Sequence, residues 1–278
     1  MNLRKLYYSF PVSLRLIVRK LYFMPADFSD WIKGKRHPMV PPRGMIFTGP
    51  GDYLKTGNNF LKYFIELAAL APEQKVLDVG SGIGRMAVPL TGYLTTGEYE
   101  GFDIMKEGID WCNKHITVRH PNFRFKHVAL QNDLYSMDGN TANDFRFPYP
   151  DDHFDFVFLT SVFTHMLPDE VENYFREIRR VLKKRGRCLA TFFILNIESK
   201  KYLEHNSAFT FPHIFGHYRL MDVKVKSANV AYEEQYIIEH LAKENGIMIN
   251  AIKYGRWCGR PKDYAFDFQD IVVMEKIC

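Results

Sequence analysis

The chain has 278 residues, 46% hydrophobic and 25% charged, values that suit one large globular domain with appendages and exclude disordered and fibrous classes. No uncharged run exceeds 13 residues (156–168 and 206–218), too short for a membrane-spanning helix. The net charge of +5 is uneven: residues 1–46 carry nine Lys or Arg against Asp27 and Asp30, giving +7, and residues 47–278 sum to −2. Four cysteines, Cys112, Cys188, Cys258 and Cys278, lack Cys-x-x-Cys spacing, which argues against a disulfide scaffold or thiolate zinc site and makes a reducing cytoplasm the expected location.

In the basic arm, Leu14, Ile17, Val18 and Leu21 make one helical stripe, with Arg15, Arg19 and Lys20 on another face and Tyr7, Tyr8, Phe10, Tyr22 and Phe23 around it. Two readings fit: a helix lying on an anionic membrane, giving peripheral contact through residues 1–24, or a helix packed on the domain with its cations in water. Arginines interrupt the apolar stretch and no small-residue cleavage site follows, so it is a poor signal peptide. Proline- and glycine-rich text over 37–44 and 48–52 closes an extension and linker over 1–56.

From residue 57 to 278 helices and strands alternate. Asn59 is placed to cap a helix with Phe60, Phe64, Leu67, Ala68 and Ala71 on its apolar face. A strand at 75–79, a helix over 85–94 carrying Pro89, and a strand at 99–104 follow. Ile109, Cys112 and Ile116 mark the next helix, and 123–128 and 154–159 read as strands. Val171, Tyr174, Phe175, Ile178, Val181 and Leu182 make an amphipathic helix with Pro168 near its start, before a strand over 186–195. A helix over 233–244 precedes strands at 247–254 and 267–276, which no helix-like stretch separates. The expected fold is α/β: a Rossmann-like seven-stranded sheet, five parallel strands closed by a C-terminal antiparallel hairpin, with helices on both faces.

The strongest motif is Val76-Leu77-Asp78-Val79-Gly80-Ser81-Gly82-Ile83-Gly84-Arg85, a buried strand running into three alternate glycines and a helix. Asp103 ends the second strand 19 residues after Gly84, where an acid can accept hydrogen bonds from ribose hydroxyls. A dinucleotide site would carry its third glycine at position 85, where arginine stands, and few residues remain for a separate substrate domain.

Asp78-x-Gly80-x-Gly82-x-Gly84 with Asp103 resembles the class I S-adenosylmethionine-dependent methyltransferases. The likeness continues through 154–158, 161–166 and 181–187 and covers about residues 57–278. Gly51-Asp52-Tyr53, Phe102-Asp103-Ile104, Trp111-Cys112 and Tyr254-Gly255-x-Trp257-Cys258-Gly259 further resemble a bacterial subgroup associated with sugar and cell-surface glycan modification. The resemblance implies S-adenosyl-L-methionine as cofactor. Asp78 and Gly80 then face its methionine moiety, with Ser81 and Gly84 in the same loop, and Gly82 lies under the ribose. Asp103 holds the hydroxyls, with Ile104 beside it. Thr160 and Ser161 border the sulfonium. The usual adenine-contacting acid is replaced by Ala129, followed by Leu130, Gln131 and Asn132, which leaves backbone groups, Gln131 or Asn132 for that contact.

Methylation of a hydroxyl benefits from a general base with pKa near neutrality, and His165, just past the fourth strand, is the candidate catalytic residue. A capping or packing role at the following helix is the competing reading. The long stretch 197–232, with Tyr202, His205, Phe209, Phe211, His213, Phe215, His217 and Tyr218, is expected to cover the substrate. His213 and His217 lack nearby acids, so no metal is expected; Glu233 and Glu234 are second-base candidates. Motifs for amino-base or C5-cytosine methylation are missing and the catalytic part is slightly acidic, so no nucleic acid partner is expected. The reading is an O-methyltransferase of a sugar, glycolipid or surface polysaccharide hydroxyl, with another small or lipid-like acceptor (O or N) or a non-catalytic cofactor-binding module as alternatives.

Overall fold

A computed structural model describes residues 12–34, 36–49, 51–130, 141–205 and 209–277. In chain order its main elements are α1 (Val12–Ile32), α2 (Tyr53–Ala68), β1 (Lys75–Val79), α3 (Ala87–Leu90), β2 (Glu98–Asp103), α4 (Lys106–Cys112), β3 (Phe123–His127), β4 (Phe154–Leu159), α5 (Pro168–Val181) and β5 (Leu182–Phe192). These are followed by β6 (Ile194–Leu195), α6 (Ile197–His205), β7 (His213–Phe215), β8 (Tyr218–Leu220), β9 (Val230–Glu233), α7 (Glu234–Tyr236), β10 (Ile247–Lys253) and β11 (Asp270–Lys276).

Strands that are apolar on both faces need a covering layer on each side. The seven-stranded sheet runs β10-β11-β5-β4-β1-β2-β3, with β1 to β5 parallel and β11 antiparallel to both β5 and β10. Leu77, Val79, Val157, Leu159 and Ala190 point to one face, against Val171, Phe175 and Ile178 of α5. Val76, Phe156, Phe158 and Leu189 point to the other, against Phe64 of α2, Leu90 of α3 and Ile109 and Cys112 of α4. The period-two alternation along each strand produces this division. Among the described residues no helix is long and apolar enough to cross a membrane.

Several element bounds differ from the sequence expectation for local reasons. The helix expected to start at Asn59 begins at Tyr53, because the Asp52 side chain accepts from Lys55 N at 2.7 Å and caps it there. The helix expected over 85–94 shrinks to the four residues of α3, with Pro89 inside it unable to donate a backbone hydrogen bond. β5 starts at Leu182 rather than 186, and its expected end, Ile194–Leu195, crosses into a second sheet ordered β6-β9-β8-β7. The helix expected over 233–244 is the short α7 followed by a wide turn (Ile237–Ala242) and a tight one (Lys243–Asn245). α1 extends past residue 24 to Ile32, through Pro25.

α2 lies close to the start of α3: a Cβ added at Gly57 would sit 2.4 Å from the Arg85 carbonyl oxygen and 3.2 Å from Pro89 Cγ. Gly57→Ala would gain about 1 kcal/mol of helix propensity. Forcing backbone apart costs about 1–3 kcal/mol, so the variant is expected to unfold at lower urea concentration than wild type, and a higher midpoint would refute this packing.

Candidate active site

β1 ends at Val79, and the next residues must turn sharply at the carboxyl edge of the sheet. Gly80 N and Ser81 N both donate to the Phe102 carbonyl, at 2.9 and 3.0 Å, which fastens the turn to the end of β2. Gly80 and Gly82 have φ of +81° and +57°, a region costly for other residues. Space is equally restrictive. A Cβ at Gly80 would lie 2.5 Å from Val162 Cγ2, and one at Gly82 would lie 2.7 Å from Thr48 Cγ2. Asp103, at the end of β2, accepts from Gly82 N through Oδ2 and from Met105 N through Oδ1, each at 2.7 Å. Burial raises its pKa, and those two backbone bonds oppose the rise.

Asp78, Gly80, Ser81, Gly82, Gly84, Asp103 and Ile104 are therefore gathered at one edge, where β1 and β2 end. Thr160 follows the end of β4, the strand on the other side of β1, so it lies at the same edge. Leu130 is buried in the apolar cluster that holds Phe102 and Phe147, and Ile104 packs partly buried against it. Gln131 and Asn132 lie outside the described residues.

Asp78 is 1% exposed, accepts from Tyr99 Oη at 2.6 Å, and is pushed by burial to a pKa of about 8. Its Oδ1, Ser81 Oγ, Arg85 Nε and Thr48 Oγ1 are buried and have no hydrogen-bond partner among the described residues. Such atoms are rare in folded proteins and call for a ligand or water. Here they include a buried acid and a guanidinium, so the loop suits a ligand bearing both an ammonium, which would draw the proton off Asp78, and a carboxylate.

Four residues of this region were given no site role by the sequence reading. Tyr53 Oη donates to the Ile83 carbonyl at 2.8 Å, inside the glycine loop, and burial raises its pKa. Arg85 Nη2 donates to the Gly49 carbonyl at 3.1 Å and its guanidinium lies 5.8 Å from the Tyr53 ring centroid. Thr48 covers Gly82, and a Cβ at Gly108 would lie 3.1 Å from the Phe47 ring. Residues 47–49 and 51–53 thus form a strap across the loop. Its sequence signal was the Gly51-Asp52-Tyr53 motif, in which the Tyr53 contact to Ile83 spans 30 positions and leaves no periodic trace.

On the other side of the edge, Ser161 takes a φ of +60°, an uncommon value for a residue with a side chain. Its N donates to Thr191 Oγ1 at 2.7 Å and its Oγ donates to Gln269 Oε1 at 3.0 Å. His165 Nδ1 stands 2.8 Å from the Ser227 carbonyl, and burial lowers its pKa. The stretch 197–232 is α6 and most of the small second sheet rather than an irregular loop. Part of its aromatic content builds its own core: Phe211 is buried with Phe193 and Trp257, and Phe209 packs against them. Phe215 stacks on Tyr218, and His217 stacks on Tyr236 at 3.8 Å. Glu234 accepts from Tyr254 Oη at 2.9 Å and Asn196 Nδ2 at 2.7 Å, and Glu233 pairs with Lys200 at 2.7 Å.

Residues 77–190 match the family model described as "Methyltransferase domain". Phosphoethanolamine N-methyltransferase 3 of Arabidopsis thaliana is 29% identical over 160 residues, which cover 56% of this chain and 27% of that protein. An uncharacterized methyltransferase of Bacillus subtilis is 28% identical over 130 residues, covering 46% of this chain and 44% of that one. The chain thus spans less than half the length of either curated relative. A solved Pyrococcus horikoshii protein shares the fold, with a TM-score of 0.58, 18% identity, and coverage of 84% of this chain and 94% of that one.

The raised pKa of Asp78 gives a pH signature. The folded chain keeps a proton on Asp78 up to about pH 8, whereas the unfolded carboxylate releases it near pH ~4. Stability of the cofactor-free protein from this group is therefore full below about pH 4 and declines as pH rises through 8. Asp78→Asn is expected to raise the cofactor-free melting temperature at alkaline pH, with the gain shrinking as pH is lowered. A gain independent of pH would show that Asp78 is not the titrating group.

Proposed function

We propose, from the premise that residues 77–190 form a methyltransferase domain of an enzyme with S-adenosylmethionine as cofactor, that this chain methylates a hydroxyl of a sugar, glycolipid or surface polysaccharide. The observation that carries the reading is the glycine loop held by Asp103, with partnerless polar atoms of Asp78, Ser81, Arg85 and Thr48 turned into the fold beside it. These residues fit the cofactor: acids and hydroxyls suit its ammonium and ribose groups, and the buried guanidinium suits its carboxylate. When bound, the cofactor supplies an electrophilic methyl group on a sulfonium. The protein's part is to position the acceptor and take up its proton.

Asp103 would accept the ribose hydroxyls on lone pairs left over from its two backbone bonds. Ser161, Gln269, Asn196, Glu234 and Tyr254 give the acceptor side a polar lining suited to a polyhydroxylated molecule. His165 would take the hydroxyl proton: its ring is held by the Ser227 and Ala228 backbone, and burial lowers its pKa, which keeps the ring neutral near pH 7. A second reading, methylation of another small or lipid-like acceptor at O or N, is favoured by the similarity to a protein named for phosphoethanolamine N-methylation. The sugar reading carries with it peripheral contact between the basic arm, residues 1–24, of which 1–11 lie outside the described residues, and the inner membrane face.

Calorimetry with S-adenosylhomocysteine is expected to show micromolar binding, and Asp103→Ala to weaken it at least about tenfold, the loss of one or more charge-assisted hydrogen bonds. No binding at millimolar ligand would remove the cofactor site. His165→Gln is expected to leave that binding intact and lower kcat by about 10²–10⁴. The acidic limb of the wild-type rate profile should fall below the usual histidine range, and equal rates in the variant would assign His165 to packing alone. Methyl-labelled cofactor incubated with cell extracts separates the acceptors: label in acid-stable polysaccharide or glycolipid supports the first reading, and label in lipid-headgroup amines the second.

A further inference from the structure

α1 is docked with its usual polarity reversed. Its contacts to the rest of the chain run through charged side chains: Asp27 accepts from Arg43 N at 2.7 Å and Gly44 N at 3.2 Å, and Asp30 pairs with the Arg43 guanidinium at 2.8 Å. Gly44 lets the backbones meet closely, since a Cβ there would lie 2.8 Å from Lys20 Cα. Lys20 reaches Glu107 of α4 at 3.3 Å. The opposite side carries Ile17, Leu21, Met24, Phe28, Trp31 and Ile32, each 53–65% exposed. At 3.6 residues per turn these six fall within an arc of about 100° and extend over roughly 23 Å. Water-exposed patches of this continuity mark a contact surface.

We propose that this outward face of α1 seats the protein on an anionic lipid bilayer. The proposal deepens the reading that the basic arm contacts a membrane: it assigns the contact to the described helix as far as Ile32, beyond residue 24, and it does not depend on the acceptor. Charge selects the occupant. The acids of the arm, Asp27 and Asp30, are both turned inward and engaged by residues 43 and 44, within a segment of net charge +7. Two copies of the chain joined through this face would bring two such segments together, an unfavourable arrangement. A bilayer takes the apolar arc into its interfacial zone, places Trp31 at headgroup level, and offers anionic partners to the positive charge of the segment.

α1 is also continuous with the cofactor end of the domain. Arg43 and Gly44, which hold Asp27 and Asp30, lead within a few residues to Phe47 and Thr48 of the strap over Gly108 and Gly82. Seating α1 therefore places the carboxyl edge of the sheet close to the lipid surface.

The test uses the full chain and co-sedimentation with vesicles of phosphatidylcholine alone or with about one third phosphatidylglycerol. Binding to the anionic vesicles is expected, with a blue shift in tryptophan emission and weakening in about 0.5 M salt. The double variant Phe28→Ser, Trp31→Ser should bind at least about tenfold less. Both residues are solvent-exposed, so its melting temperature and S-adenosylhomocysteine binding should equal those of wild type. Equal partitioning of variant and wild type would overturn the proposal, as would equal binding to neutral vesicles. A wild-type dimer that the variant loses, without vesicle binding, would reassign the face to a second copy. Absence of S-adenosylhomocysteine binding in wild type would instead strike the methyltransferase reading and leave the vesicle result standing.

Discussion

The Asp103 carboxylate sits between Gly82 N and Met105 N, 2.7 Å from each, and the geometry of the cofactor edge follows from that clasp. One oxygen fixes the glycine turn that leaves β1, and the other fixes the turn that leaves β2 toward α4. Because β1 and β2 pair in parallel, Asp78 opposite Gly101 and Val79 opposite Phe102, both turns emerge side by side. The Phe102 carbonyl takes the Gly80 and Ser81 N–H groups, so the loop is tied to β2 at three points. Burying a carboxylate is costly unless it is hydrogen-bonded, and here the same bonds that offset the cost shape the loop.

A second buried acid does comparable work at the other half of the edge. Asp270 accepts from Gly255 N, Ile194 N and Trp257 Nε1, each at 2.6 Å, and burial raises its pKa to about 6 against those bonds. Ile194 opens the small sheet, Gly255 follows β10, and Trp257 belongs to the core of the cover with Phe193 and Phe211. One side chain thereby joins the seven-stranded sheet, its edge hairpin and the small second sheet. Ser161, with its left-handed backbone, is held from the same edge by Thr191 and Gln269, the residue before Asp270. The two halves of the edge are therefore rigid frames, each organised around a buried aspartate, with the end of β4 between them.

The sheet and the glycine loop were legible in the sequence because their signals are local: apolar runs of five or six residues, three alternate glycines, and an acid at the end of the next strand. Lys75–Val79 and Phe154–Leu159 match their expected bounds for that reason. The cover over 197–232 was legible only as a long aromatic stretch, since strands of three or four residues such as His213–Phe215 are too short to show alternation. Asp52 rather than Asn59 caps α2 because the carboxylate reaches Lys55 N, and both residue types were present at plausible distances. Tyr53, Thr48 and Arg85 were not legible as a group, because what unites them is contact across the strap. Asp270 was hidden likewise: its three donors come from positions 194, 255 and 257.

α1 marks the sharpest limit of a helical wheel. Periodicity located an apolar stripe and a charged side, and the ordinary inference turns the stripe toward the domain. The contacts reverse it, because Asp27 and Asp30 have donors waiting on Arg43 and Gly44, whereas Ile17, Phe28 and Trp31 face water. An exposed ion pair such as Lys20 with Glu107 contributes little by itself. The anchorage thus rests on Asp27, whose carboxylate satisfies two backbone N–H groups at the start of the strap's lead-in. The +7 of the arm then has a structural meaning: its two negative charges are engaged by Arg43 and Gly44 on the inner side, so the segment that bears the bare apolar face keeps a strong positive excess.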